Sequence, residues 1–117
     1  MKTASFFTFT GPGRVSIALY APPNAPAGFR RYAPLVPRRD MLKLPYDHYR
    51  EIYTGEILAK LDPHAVAGDL QRLAGVHEPV LLCWKKPPFT ATNWCHRRMV
   101  AEWLGLYLDL QIAEHTP

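Results

Sequence analysis

The sequence predicts a small α/β domain, a mostly parallel sheet of about four strands with helices packed on it. Three observations lead there. The run Pro79-Val80-Leu81-Leu82-Cys83-Trp84 is apolar at consecutive positions, as in a strand buried on both faces. Helical stripes of apolar residues precede and follow it. The order of elements, β-β-α-α-β-α-β, separates strands by helices, which favours parallel pairing through right-handed crossovers. At 117 residues, 48% hydrophobic and 21% charged, the chain has ordinary globular composition and room for one core. Residues 1–117 are therefore read as one domain without internal repeats.

Residues 3–9 alternate Thr, Phe and Ser as a first strand, closed by Gly11-Pro12-Gly13. A second strand follows over Arg14–Tyr20, with β-branched and aromatic residues at several positions. The proline-rich stretch 21–45 is too long for a simple turn, and Phe29 and Tyr32 argue that it packs as an ordered surface loop. Tyr46, Tyr49, Tyr53, Ile57 and Leu61 recur at three- and four-residue steps, predicting a helix that starts near Pro45 or Tyr46. Gly55 in its middle marks a close contact or a kink, at a cost of about 1 kcal/mol relative to Ala. Asp62-Pro63 pairs an N-cap with proline at the first helical position, and the helix it opens ends at Gly75. The last helix carries the stripe Met99, Val100, Trp103, Leu104 and Tyr107. Leu108 to Ala113 alternates as a final strand.

Several function classes are excluded at this level. No segment approaches the roughly 20 apolar residues of a membrane helix. The first ten residues lack the apolar run of an export signal, and two cysteines then point to a reduced, cytoplasmic protein. A net charge of +4 favours anionic partners. There is no glycine-rich phosphate loop, no dinucleotide fingerprint and no nucleophile elbow, so no cofactor is expected. The phosphatase pattern fails as well, because six positions after Cys95 stands Ala101 and six after Cys83 stands Phe89.

The chemistry concentrates in one block. A strand ends on Cys83, and after a loop a helix opens with Cys95-His96-Arg97-Arg98. Free N–H groups and the positive end of a helix lower the pKa of a thiol placed there, and can cradle a phosphate or carboxylate. Cys95 is the candidate nucleophile or redox thiol and His96 its base. Arg97, Arg98, Cys83, Ser16 and Lys85 are candidate ligand-binding residues. The loop can fold Cys83 back near Cys95, but in a reducing cytoplasm the two are expected as thiols. A zinc site is disfavoured on spacing, since there is no C-x-x-C pair and the neighbours Cys95 and His96 rarely serve one metal. A fourth ligand would have to come from His77 or His48.

The block Leu81 to Lys86 followed by Cys95 to Leu104 resembles the domain-of-unknown-function family 488, in which a strand ending in cysteine precedes a Cys-His-Arg helix start. Val15 to Ala18, the proline-rich loop and the Tyr49–Leu61 helix fit the same likeness. Many members carry an acidic residue where this chain has Lys85. The resemblance implies an α/β fold and a site at the Cys…Cys-His-Arg block, without an activity. On this reading the protein binds a small anion, phosphate or nucleotide-like, with thiol chemistry at Cys95. The alternative is a non-catalytic nucleic-acid-binding module. It would use the pairs Arg30-Arg31, Arg38-Arg39, Lys85-Lys86 and Arg97-Arg98 among Phe29, Tyr32, Trp84, Phe89 and Trp94. A dimer formed through the proline-rich loop is a third reading.

Overall fold

The computed structural model describes residues 1–116. Five parallel strands form one sheet in the order β3-β2-β4-β1-β5. They are β1 (Lys2–Ser5), β2 (Arg14–Ser16), β3 (Arg30–Arg31), β4 (Val80–Cys83) and β5 (Ala113–Glu114). The helices are α1 (Tyr46–Ile52), α2 (Pro63–Ala74) and α3 (His96–Leu108). Every residue of β4 is buried, as its unbroken apolar run requires, and it occupies the centre between β1 and β2.

The two faces of the sheet are covered differently. Val15, Ile17 and Leu81 face the helices, where Tyr49, Tyr53, Leu70, Val100 and Leu104 pack on them. On the other face Ala4, Val80, Leu82, Cys83 and Cys95 lie beneath the loop aromatics Phe6, Phe9, Phe29 and Phe89. All core residues contributed by helices belong to the first face.

Several elements differ from their sequence patterns. The first strand ends at Ser5 because the Ser5 hydroxyl accepts from the Phe7 amide and turns the chain. The second stops at Ser16, whose hydroxyl accepts from the Ala18 amide in the same way. At Gly13, φ is +84° and its carbonyl accepts from the Val80 amide at 2.9 Å, which sets β2 beside β4. The predicted helix through Leu61 is in three pieces: α1, a π turn over Tyr53–Ile57 containing Gly55, and a 3-10 turn over Leu58–Lys60. Asp62 caps α2 as predicted, its carboxylate accepting from the His64 amide at 3.0 Å. Residues 108–112 are not a strand, and only Ala113–Glu114 at the end of the predicted stretch pairs in the sheet. Helix α3 runs to Leu108, and Asp109 then turns left-handed at φ 53°. The returning chain places the Leu110 carbonyl 2.7 Å from where a Cβ on Gly105 would stand, so only glycine fits there.

The proline-rich stretch is an ordered connection. Leu35 and Met41 are fully buried, the Tyr32 hydroxyl donates to Asp69 at 2.7 Å, and the Tyr53 hydroxyl donates to the Leu35 carbonyl at 2.6 Å. Arg14 pins its start by donating to the carbonyls of Pro26 and Ala27. Among the described residues no helix is long and apolar enough to cross a membrane.

Candidate functional site

The site lies where β4 ends and α3 begins, joined by the loop 84–95. That loop is tied down at both ends. The Trp84 indole N–H donates to the Tyr20 carbonyl at 2.7 Å, and the Ser5 hydroxyl donates to the Trp84 carbonyl at 2.9 Å. Further on, the Asn93 amide donates to the carbonyls of Lys86 and Pro88, each at 2.8 Å. So fastened, the loop brings the start of α3 back over the end of β4.

Cys95 is the N-cap of α3, with extended backbone at φ −144° and ψ 143°, and its side chain makes no capping hydrogen bond. Its sulfur is instead bonded to that of Cys83, with Cα atoms 6.8 Å apart. The two cysteines, expected as separate thiols, are a disulfide. The fastened loop brings the two sulfurs together across the β4–α3 corner, a proximity that the sequence spacing alone does not fix.

His96 follows as the first residue of α3. Its Nε2 stands 2.8 Å from the Ile17 carbonyl, which can only accept, so Nε2 carries the ring proton. Nδ1 is thereby left as a bare lone pair, 3.6 Å from Cys83 Sγ and 3.9 Å from Cys95 Sγ. Burial pushes the imidazole pKa down to about 4; the Ile17 carbonyl opposes this and the Arg97 charge reinforces it. The ring is neutral at pH 7, suited to accepting a hydrogen bond from a thiol and not to storing a proton. Tyr53 and Tyr49 wall the imidazole, with ring centroids 5.3 and 6.3 Å away. Desolvation raises both phenol pKa values, so these walls stay uncharged.

Access is narrow. Cys83 and Cys95 keep 7% and 5% of their surface exposed and His96 keeps 4%, so the group is largely shielded from solvent. All three form the floor of a cleft of about 300 Å³ whose walls include Leu42, Trp84, Lys85, Thr92 and Trp94. A second cleft, bordered by Tyr46, Arg50, Trp94 and Arg98, reaches Cys95 from the other side.

The remaining candidate residues are placed differently from one another. Lys85 lines the cleft. Ser16 is buried, its hydroxyl turned to the Ala18 amide. Arg97 is fully buried and grips both Glu114 oxygens, at 3.0 and 2.8 Å, and the Lys85 carbonyl at 2.6 Å. Its guanidinium also lies 4.9 Å from the centre of the Phe89 ring. Arg97 therefore spends its Nε and one terminal nitrogen within the chain, while its other terminal nitrogen is buried without a hydrogen-bond partner. Arg98 is half-buried and donates to the Thr3 hydroxyl and the Ile112 carbonyl, both at 2.9 Å. Elsewhere Arg38 is paired with Asp40 and Glu56, while Arg30 and Arg31 are exposed on β3. Of the four basic pairs, two thus spend a guanidinium on carboxylates of this chain.

The sequence reading missed the Ile17 carbonyl, which no side-chain motif can reveal, and the Glu114 partner of Arg97. A buried arginine needs a carboxylate, and β5 supplies it from across the sheet.

The fold and site define a class: a small parallel α/β protein in which a cysteine pair faces the bare nitrogen of a neutral histidine. Comparison of the chain with family models, with curated proteins and with solved structures gave no match.

Proposed function

We propose that the protein acts through a reversible Cys83–Cys95 dithiol–disulfide couple, exchanging disulfides with a thiol-bearing partner. One observation carries the reading. The only two cysteines of the chain, 12 residues apart, meet at the β4–α3 corner with His96 Nδ1 against both sulfurs. A buried histidine whose second nitrogen is satisfied by sulfur alone is a poor device for packing and a good one for thiol chemistry.

In the oxidised form, a thiolate of a dithiol partner attacks Cys95 Sγ. A partner–Cys95 disulfide forms, the Cys83–Cys95 bond breaks, and its electron pair leaves on Cys83. Cys83 takes up the proton that the partner thiol has lost and donates its S–H to His96 Nδ1. The partner's second thiolate then attacks the partner's own sulfur in the mixed disulfide and releases Cys95. The partner is oxidised by two electrons and the protein reduced by two.

Cys95 leaves as a thiolate at the N-terminus of a 13-residue helix, where backbone N–H groups and the helix dipole stabilise negative charge. Lys85 adds its charge from the cleft wall. The anion held at this corner is then the thiolate itself, which replaces the expected phosphate or nucleotide. Phe7, Tyr20, Leu42 and Trp84 are large apolar side chains left exposed around the approach, so a peptide thiol with apolar neighbours suits it. The Cys83…Cys95-His96-Arg97 block is also where the likeness to the domain-of-unknown-function family 488 rests, and on it we place the chain beside that family.

The test is alkylation of Cys95 in the Cys83→Ser protein with iodoacetamide at neutral pH. A thiol pKa lowered by one unit raises the thiolate fraction at neutral pH close to tenfold, and after the loss of intrinsic nucleophilicity the reaction is about threefold faster than with glutathione. A rate equal to that of glutathione, with no exchange between the wild-type disulfide and a dithiol peptide, removes the proposal.

A further inference from the structure

We infer that, once reduced, Cys83 Sγ, Cys95 Sγ and His96 Nδ1 form a binding site for one thiophilic metal ion, zinc(II) or copper(I). The inference rests on the proposed couple only in requiring that the disulfide be reducible. It does not need disulfide exchange with a partner.

The donor atoms carry the argument. These three residues are buried, and their ligand atoms lie within 4.8 Å of one another. For a tetrahedral zinc with ordinary Zn–S and Zn–N bond lengths, the sulfur-to-nitrogen edge is about 3.6 Å. The two edges here are 3.6 and 3.9 Å. The third edge, between the sulfurs, has to open to about 3.8 Å once the disulfide is cleaved. With the Cα atoms 6.8 Å apart, rotation about the two Cα–Cβ bonds can provide that.

The second observation is independent of the sulfurs. A ligating histidine almost always donates its other N–H to a carbonyl or carboxylate, which fixes the tautomer and aims the lone pair. The Ile17 carbonyl does this for His96 at 2.8 Å, while Tyr49 and Tyr53 hold the ring plane from the side. The imidazole is thus oriented as a ligand before any metal arrives.

Binding would convert two thiols to thiolates with release of two protons. The two sulfurs and one nitrogen complete a trigonal copper(I) site. For zinc they leave the fourth position facing the cleft beside Lys85 and Thr92, where water can enter. A disulfide sulfur carries no charge and is a poor ligand, so the oxidised protein cannot bind in this way. Metal and disulfide exclude each other, and the metal-bound form is held reduced. The spacing argument against zinc fails here for a geometric reason. Cys95 is extended and His96 helical, and that change of backbone turns two adjacent side chains onto one point.

The test uses tag-free wild-type protein in both redox forms. Zinc is titrated against a chromophoric chelator and copper(I) against bathocuproine, and cobalt(II) provides a spectroscopic probe. The expected result is one ion per reduced chain, with thiolate-to-cobalt charge-transfer bands, and none on the disulfide form. Cys83→Ser and His96→Ala should each weaken binding by roughly a hundredfold or more, beyond the loss of an outer-shell partner. Because the wild-type disulfide form is its own control, misfolding of a variant does not blunt the test. Equal binding to both redox forms, or cobalt spectra without sulfur bands, would place the ion on surface histidines and overturn the inference. So would a protein whose two thiols no reductant can release. Stoichiometric sulfur-bound metal with no exchange activity would sink the exchange reading alone.

Discussion

The first turn of α3 separates two regions of opposite character. His96 and Arg97 are neighbours in sequence and are both hidden from solvent, yet they serve different ends. On one side the imidazole faces two sulfurs and a cleft, with one nitrogen committed to the Ile17 carbonyl and the other uncommitted. On the other side Arg97, Arg98, Thr3 and Glu114 form a closed network joining α3 to β1 and β5, including the bond from the Thr3 hydroxyl to Glu114 at 2.7 Å. The lesson is that charge density in the sequence does not locate a site. Apart from one buried, unpartnered Arg97 nitrogen, the arginine network finds its partners within the chain, whereas the uncharged histidine keeps a lone pair facing the sulfurs and the cleft.

The largest effect should come from opening the closed side. Arg97→Ala leaves the Glu114 carboxylate, 14% exposed, without its bidentate partner. Losing one member of such a buried pair costs about 3–5 kcal/mol. Urea denaturation at neutral pH reads this, and in the Cys83→Ser background the alkylation rate of Cys95 should stay within a fewfold of its value with Arg97 present. A Cys95 rate that fell in step with stability would erase the distinction between the two regions.

Acid should act next, through the other side. The folded pKa of His96, about 4, lies below its unfolded value of 6.5, so the unfolded chain binds more protons between them. Stability therefore rises with pH across that window, is complete above about 6.5, and is lost as the pH falls towards 4. The linked loss is roughly 3 kcal/mol. In His96→Gln, whose amide N–H can still donate to the Ile17 carbonyl, this component should vanish from unfolding curves taken through the window. Persistence of the same slope would mean that carboxylates carry it.

The smallest effect tests the wall between the regions. Tyr53→Phe removes the hydrogen bond to the Leu35 carbonyl while keeping the ring against His96. It should cost about 1–2 kcal/mol in thermal or urea unfolding and leave the redox behaviour of Cys83 and Cys95 unaltered.

Much of this was legible in the residues. The unbroken apolar run of β4, the Asp62-Pro63 start of α2 and the Cys95 boundary of α3 are local signals, and each landed within a residue or two. Cys83, Cys95 and His96 were legible as chemistry-bearing groups because the chain has only two cysteines and a histidine directly follows the second. The alternation from Leu108 onward misled, since a left-handed turn at Asp109 and the fit of Gly105 against Leu110 depend on where the chain returns. The roles of Arg97 and Ser16 misled for a similar reason, as their partners come from Glu114 and the Ala18 amide.

By itself the amino-acid order determined the α/β class, the central strand, the helix caps and the residue types able to do chemistry. Such features depend on contacts between residues close in sequence. Which sulfur meets which nitrogen, and which arginine is spent on a carboxylate, was decided only when distant segments closed around β4. Those choices turn on partners as far as 79 residues away, such as Ile17 for His96, and no local pattern carries that information.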